Sequence, residues 1–354
     1  MRREATFSTV FDMLADRAND LPGDEKLSDS RATATTTTLT RPNFLIIGAA
    51  KSGTTALWHY LRQHSQIYMS PRKHTRFFAF EVEDPGFRGP GTEDPSLHYT
   101  MPYAIADISA YHALFAGATS ETAIGEASHS YLYGLRAAER IQEYAPDMKL
   151  IAVLRDPAER AFSHYRQMIR DGREPLDDFV RALDEEEARI HDHWWPDFHY
   201  VQVGLYHAQL ERYFERFGRE QIKVYLYEEF TSDPLGVLRD VFRFLGVNDG
   251  FVPEAAVRYN ASGVPKNKGL HAFLQKLRLV RPFVERLLPE EHTRRLLRVG
   301  SGLHNRNLTK PRLSPELRAR VTDAYFRDDI LKLQGLIQRD LSSWLGHGKE
   351  DGER

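Results

Sequence analysis

The chain contains no cysteine among its 354 residues. This absence excludes disulfide bonds, a thiolate nucleophile, and zinc or iron–sulfur sites with cysteine ligands, but it indicates no particular redox compartment. The densest group of other ligand residues is HDHWWPDFHY at 191–200, and its spacing alone is weak support for a metal site. We therefore expect no bound metal.

Long apolar runs are also absent. No stretch approaches the roughly 20 apolar residues that a membrane-spanning helix needs, and residues 1–20 lack the apolar core of a secretion signal. We therefore expect a soluble, cytoplasmic protein with no membrane partner. Because residues 22–40 are polar and repetitive, we also expect a disordered leader at 1–40, a single domain at 41–346 and a disordered tail at 347–354.

Charge of one sign is not in excess either. The 48 basic and 50 acidic residues give a formal net charge of −2. This balance argues against a general nucleic-acid binder, although a local basic cleft could exist within it. The composition indicates no oligomeric state.

Short apolar runs alternate with longer segments of helical periodicity after the leader. This alternation predicts an α/β fold, with a mainly parallel β-sheet, helices on both of its faces and a helical C-terminal region. The predicted strands lie at 44–48, 67–69, 123–126, 149–154 and 222–227. The predicted helices lie at 54–64, 103–116, 134–144, 158–171, 175–190, 204–217 and 234–245. In such a sheet, ligands bind at the carboxyl ends of the strands.

The segment FLIIGAAKSGTT at 44–55 has the form of a strand, a glycine-containing loop and a helix start. Backbone N–H groups, the helix dipole and the Lys51 ammonium would converge there on an anion. A Walker loop places its lysine after the second glycine, whereas Lys51 precedes Gly53 by two residues. The loop is therefore P-loop-like but does not have the spacing of an ATPase. The alternative is a plain strand-to-helix turn with a solvated lysine.

A second motif, KLIAVLRDPAERAFSHYRQM at 149–168, places Arg155 at the end of a strand and Ser163 on the following helix. The arginine offers a planar fork of donors to a phosphate, and the serine can add a hydroxyl. Alternatively, Arg155 only ends the strand and Ser163 only lies on a helix face.

Together and in this order, the two motifs resemble those of sulfotransferases that use 3′-phosphoadenosine 5′-phosphosulfate (PAPS), in particular heparan-sulfate-type and bacterial members. The resemblance extends from about Asn43 to Trp344. It implies transfer of a sulfuryl group from PAPS to a hydroxyl or amine of a carbohydrate-like or secondary-metabolite acceptor, without a metal. The residues that it implies in donor binding are Lys51, Ser52, Gly53, Thr54, Thr55, Arg155 and Ser163. A P-loop kinase or NTPase and a non-catalytic nucleotide-binding protein are the alternatives.

The sequence departs from this family at the catalytic base. Heparan-type members carry K-E-x-x-F-F after the second strand, with the glutamate as base, and here KHTRFF at 73–78 has His74 at that position. An imidazole with an unperturbed pKa of roughly 6.5 can accept a proton near neutral pH. The alternative is a surface histidine whose pKa is depressed by Arg72, Lys73 and Arg76.

A second departure is GEASHSYLY at 125–133, which resembles the family's E-K-T-P-x-Y-F segment. The lysine of that segment, which supplies charge near the sulfate in heparan-type members, is replaced by Ala127, and the proline is replaced by His129. Glu126 and His129 are therefore rival candidates for the base. Glu126 is equally expected to be a structural ligand of backbone N–H groups.

Two further segments are candidates for binding. Lys266 and Lys268, in RYNASGVPKNKG at 258–269, are either phosphate contacts or solvated lysines. The tryptophans of 191–200 either pack within their loop or form a wall of the acceptor pocket. Because the chain shows no membrane anchor, it resembles bacterial members of the family more than the anchored animal enzymes.

Overall fold

Apolar segments form a parallel sheet of five strands within the part of the chain that the computed structural model describes, residues 40–80, 86–90, 104–254, 264–265, 308–309 and 312–346. The strands are β1 (Phe44–Gly48), β2 (Ile67–Met69), β3 (Ala123–Ala127), β4 (Lys149–Leu154) and β5 (Ile222–Leu226). Most of their residues are buried, as expected for strands covered on both faces. The α/β prediction and the five strand positions are confirmed.

Helices and short turns connect the strands. The described helices are α1 (Thr54–Leu61), α2 (Ile108–Ala113), α3 (Ser130–Tyr133), α4 (Ala137–Tyr144), α5 (Pro157–Arg170), α6 (Phe179–Asp184), α7 (Glu186–His191), α8 (Tyr206–Phe214), α9 (Tyr227–Ser232), α10 (Pro234–Leu245), α11 (Pro315–Val321) and α12 (Arg327–Ile337). The predicted helix 175–190 is wrong in extent, because Asp178 caps α6 by accepting from the Arg181 N–H and the helix is interrupted at Glu185. The predicted helix 103–116 is reduced to α2 in the same way, with Asp107 as its cap.

Successive residues of β1 face opposite sides of the sheet and enter two different cores. Phe44 and Ile46 pack on the side of α1, together with its Trp58. Leu45 and Ile47 pack on the side of α5, in the larger core. The sheet is therefore covered on both faces, as predicted, and the loop after β1 emerges between the two layers.

The C-terminal helices pack against the start of α5 and of α8. Arg318 of α11 forms an ion pair with Asp156, which also caps α5 by accepting from the Glu159 N–H at 3.0 Å. Asp329 of α12 accepts from the Tyr206 N–H at 2.8 Å, at the first residue of α8. Trp344 is 2% exposed, so the C-terminal region, which was predicted to be helical, packs into the core.

The strand order is β2-β3-β1-β4-β5, so β1 lies between β3 and β4. The chain leaves β1 towards β2 on one side and leaves β4 towards β5 on the other. This divergence is the switch point at which open α/β sheets bind ligands, and both predicted phosphate motifs follow these two strands. Three predicted features lie outside the described residues: the leader up to residue 39, the tail from 347, and the lysines at 266 and 268.

Candidate active site

The loop between β1 and α1 turns through two residues in the left-handed region. Lys51 has a φ of 67° and Gly53 a φ of 91°. A Cβ on Gly53 would lie 3.1 Å from the ring of Tyr227, so both conformation and space favour glycine there. Helix α1 begins at Thr54, and its N-cap residue Gly53 has no side chain to cap it. The first N–H groups of α1 are therefore available as donors to an anion.

Lys51 is held inside this loop and is not a solvated surface lysine. Its Nζ donates a hydrogen bond of 2.6 Å to Oε1 of Gln167 on α5. Burial, and then the charge of Arg170, lower the pKa of Lys51 to about 8, while Asp171 acts in the opposite direction. Lys51 and the uncapped N–H groups together form a site that favours an anion. A bound anion would raise the pKa of Lys51 again and so keep its ammonium charged.

Helix α5 brings the second motif to the same loop. Ser163 lies one turn before Gln167, the partner of Lys51, so both side chains are on one face of α5. Arg155 precedes the helix, donates to Oε2 of Glu159 at 3.0 Å and lies over the ring of Tyr227 at 4.9 Å. The two motifs therefore meet at one end of the sheet.

Lys73 lies in the site, although the sequence prediction left it out. Its Nζ is 2.8 Å from Oγ1 of Thr55 and 3.5 Å from Oγ1 of Thr54, at the start of α1. It is also 3.1 Å from Nε2 of His74. Burial, and then the charge of Lys51, lower the pKa of Lys73 to about 7, while Glu126 acts in the opposite direction. The segment KHTRFF retains the lysine and both phenylalanines of the family's K-E-x-x-F-F pattern, and this match could have identified Lys73 as a site residue.

His74 lies between Lys73 and a second histidine, His129. Its ring contacts that of His129 edge-on, with 4.5 Å between the ring centroids. Burial, and then His129, Lys73 and Arg76, hold the pKa of His74 well below 6.5. The predicted depression of its pKa by neighbouring charge is thus present, but the side chain is partly buried rather than on the surface. Burial followed by the charge of Lys73 does the same to the pKa of His129.

Backbone contacts hold His74 in this position. Its N–H donates to the carbonyl of Ala127, at the end of β3, at 2.9 Å. The φ angles of His74 and Arg76 are 62° and 59°, a region that side chains other than glycine rarely adopt. Such conformations cost about 1–3 kcal/mol each and cluster at functional sites. The segment is therefore held in a specific shape beside β3.

The comparisons with known proteins agree with this geometry. A model of the sulfotransferase family matches residues 42–250. A solved sulfotransferase from Alicyclobacillus acidocaldarius is 38% identical, with a TM-score of 0.65, and the match covers 86% of this chain and 99% of that one. This chain belongs to the sulfotransferase family. The recognition made from the sequence motifs is confirmed, and nothing supports a kinase or NTPase.

Curated relatives of this sulfotransferase include enzymes named for heparan sulfate. It is 30% identical over 211 residues to heparan sulfate glucosamine 3-O-sulfotransferase 3B1 of Mus musculus, covering 58% of this chain and 46% of that protein. It is 27% identical over 225 residues to bifunctional heparan sulfate N-deacetylase/N-sulfotransferase 4 of Mus musculus, covering 62% and 24%. The chain therefore spans less than half the length of these two relatives.

Glu126 of this sulfotransferase is fully buried in a net of hydroxyl groups. Tyr131 donates to its Oε1, as does Thr75 at 3.1 Å, and Ser128 donates to Oε2 at 3.0 Å. Tyr111 lies 3.5 Å from Oε1. Burial raises the pKa of Glu126 to about 7, and these hydrogen bonds oppose the rise. The structural ligands are thus hydroxyl groups, in place of the backbone N–H groups expected from the sequence.

The aromatic segment at 191–200 is packed rather than open. Trp195 is 3% exposed, and Trp194 is contacted by the guanidinium of Arg189 at 5.0 Å from its ring. Arg189 is itself fixed by Glu174, with N–O distances of 2.7 and 2.9 Å. Among the described residues, no group of histidines and carboxylates could hold a metal ion, and no helix is long and apolar enough to cross a membrane.

Proposed function

We propose that this sulfotransferase uses PAPS as its donor. The observation that carries the proposal is the crowding of buried cations where α1 begins. Burial and then the charge of Lys51 lower the pKa of Lys73. Burial lowers the pKa of Lys51 in turn, and the positive charges of Arg170, Arg155 and Arg160 add to that effect. Such repulsion in a desolvated site is relieved by a multiply charged anion. The described site therefore fits a ligand with several phosphate or sulfate groups.

We assign the predicted donor contacts to two groups of the donor. Lys51 and the N–H groups from Ser52 to Thr55 would hold the phosphosulfate, and Arg155 with Ser163 would hold the 3′-phosphate. Lys266 and Lys268 stay a proposal for further phosphate contacts. When bound, PAPS supplies an activated sulfuryl group.

In the reaction, the acceptor oxygen bonds to sulfur as the bond from sulfur to the bridging phosphate oxygen breaks. Lys51 stabilises the negative charge that grows on that bridging oxygen. The proton of the acceptor passes to Nε2 of His74, which we propose as the base. The products are the sulfated acceptor and adenosine 3′,5′-bisphosphate (PAP).

His74 is favoured over its two rivals on geometry. Both oxygens of Glu126 accept hydrogen bonds from hydroxyl groups, and its side chain is 0% exposed, so it cannot reach an acceptor. His129 packs edge-on against the ring of His74, with 4.5 Å between the ring centroids. Nε2 of His74, by contrast, lies 3.1 Å from Nζ of Lys73, which also contacts the start of α1. We infer that Glu126 fixes the segment 73–78 and that His129 packs against the base.

The acceptor that we propose is a hydroxyl of a carbohydrate-like molecule. Support comes from the relatives named as glucosamine 3-O-sulfotransferases. An amine acceptor is the second candidate, because another relative is named as an N-sulfotransferase. A secondary-metabolite hydroxyl would use the same base and the same donor site.

Calorimetric titration with PAP, PAPS and ATP tests the donor. We expect PAP and PAPS to bind more tightly than ATP, because Arg155 and Ser163 would recognise the 3′-phosphate. Tighter binding of ATP would refute PAPS as the donor. Assays of sulfate transfer to a panel of sugars and phenols then separate an enzyme from a non-catalytic nucleotide-binding protein.

A further inference from the structure

Lys73 has contacts on both sides of the reaction centre. On one side its Nζ reaches the hydroxyls of Thr55 at 2.8 Å and Thr54 at 3.5 Å, where α1 begins. On the other side it is 3.1 Å from Nε2 of His74. An ammonium has three N–H donors and no acceptor, so the two threonine oxygens and Nε2 of His74 together match its three donors.

This arrangement determines which nitrogen of His74 carries the ring proton. When Lys73 is charged it only donates, so Nε2 of His74 accepts from it and the proton of the neutral ring lies on Nδ1. Nδ1 is buried and has no hydrogen-bond partner among the described residues. The lone pair of Nε2 is the one that a base would use, and Lys73 occupies it.

We propose that Lys73 is a positioning residue that links donor binding to the base: its ammonium holds Nε2 of His74, and gives up that hydrogen bond to an anionic oxygen of the donor. This inference rests on the proposed use of PAPS. No covalent bond changes in this step, since one hydrogen bond is exchanged for another. The lone pair of Nε2 then becomes available to the acceptor only when the donor is bound.

The exchange is favourable because the two partners of Lys73 differ in charge. A hydrogen bond from an ammonium to an anionic oxygen is roughly twice as strong as one between neutral groups, and stronger than one to a neutral imidazole. The hydroxyls of Thr54 and Thr55 keep Lys73 at the helix start, where the anion is expected. Burial and then the charge of Lys51 lower the pKa of Lys73, while Glu126 raises it. The rings of His59, His74 and His129 also interact with the charge of Lys73. A bound anion offsets the repulsion from Lys51.

Nitrogen NMR of histidine-labelled protein tests the proposal, with the His74 signal assigned by its loss in His74→Gln. In wild type, addition of PAPS without acceptor should move the Nε2 resonance towards that of a nitrogen free of hydrogen bonds. In Lys73→Met the resonance should already be near that position and move little. Lys73→Arg, which keeps a cation, should restore part of the shift.

Lys223→Met is the matched control, because Lys223 of β5 pairs with Asp240 of α10 and the variant should behave as wild type. An equal shift in wild type and Lys73→Met would overturn the proposal. So would an unmoved His74 resonance in wild type that binds PAPS by calorimetry. If wild type bound no PAPS at all, the donor assignment itself would fail, and the link through Lys73 would fall with it.

Discussion

The proposed donor half and the proposed acceptor half of this site are built by different means. In the donor half, backbone geometry dominates: the loop after β1 turns through Lys51 and Gly53, and α1 presents its N–H groups. In the acceptor half, side chains dominate, with His74 placed against β3 and Glu126 beneath it in a hydroxyl net. A site built from backbone N–H groups depends on few side chains, and the donor loop of this chain keeps the family pattern. The acceptor half depends on individual side chains, and there the chain departs from that pattern at His74 and Ala127.

The two halves also differ in charge. The donor half contains lysines whose pKa values are lowered by burial and by neighbouring positive charge. The acceptor half contains two histidines whose depressed pKa values keep them neutral. Lys73 contacts both halves. Because one half attracts an anion and the other holds a neutral histidine, the Lys73 ammonium can donate to either one.

Removal of the donor-half cation should have the largest effect. We expect Lys51→Met to lower kcat by about 1,000-fold, the upper range for loss of one group that stabilises transition-state charge. Single-turnover assays with PAPS and a working acceptor measure this. Lys223→Met controls for loss of a lysine elsewhere, and a decrease of less than tenfold in Lys51→Met would remove Lys51 from its proposed role.

Removal of the acceptor-half base should have a smaller effect. General bases contribute about 10²–10⁴-fold, and the depressed pKa of His74 makes it a weak base, so we expect His74→Gln to cost about 100-fold in kcat. The matched variant His129→Gln should cost only a few-fold if it serves packing alone. A larger loss in His129→Gln than in His74→Gln would reverse the assignment.

The same depressed pKa predicts a pH profile. The base must be unprotonated, and the pKa of His74 lies well below 6.5. Protonation of the base should therefore cause no loss of wild-type kcat above pH 6.5, and the acid limb of the profile should lie below that pH. An acid limb centred above pH 6.5 would show that another group is the base.

Glu126→Gln should have the smallest effect on kcat and a measurable effect on stability. The folded-state pKa of Glu126, about 7, is above its usual 4.5, so its contribution to stability is full at low pH and is lost as pH rises between these values. The Tm of wild type minus the Tm of Glu126→Gln should therefore be larger at pH 5 than at pH 8. Thermal melts at the two pH values check this, and a difference that grows with pH would contradict it.

Local sequence signals predicted the sheet and the donor loop well, for a physical reason. Strands buried on both faces read as continuous apolar runs, and an anion loop needs a lysine and a glycine within a few residues. The contacts of Lys73 with Thr55 and of Lys51 with Gln167 span 18 and 116 residues, so no local pattern reports them. The roles assigned to the individual site residues stay predictions.

Helix boundaries were the least predictable part of the fold. Asp107 and Asp178 each accept a hydrogen bond from the N–H three residues later, and these caps start α2 and α6 inside segments predicted as longer helices. The net around Glu126 was also hidden, since Thr75 joins it from 51 residues away in the chain, although Ser128 and Tyr131 lie in the same segment as Glu126. Such contacts depend on tertiary packing.

The central claim is that the donor half recognises the 3′-phosphate of PAPS, and calorimetry of wild type and Arg155→Met with PAP and adenosine 5′-phosphate tests it most directly. A charged hydrogen bond contributes about 1.5–3 kcal/mol, so wild type should prefer PAP by about 10- to 150-fold. In Arg155→Met this preference should largely disappear while the affinity for adenosine 5′-phosphate is unchanged. Equal binding of the two nucleotides by wild type, or a preference that survives in Arg155→Met, would contradict the account.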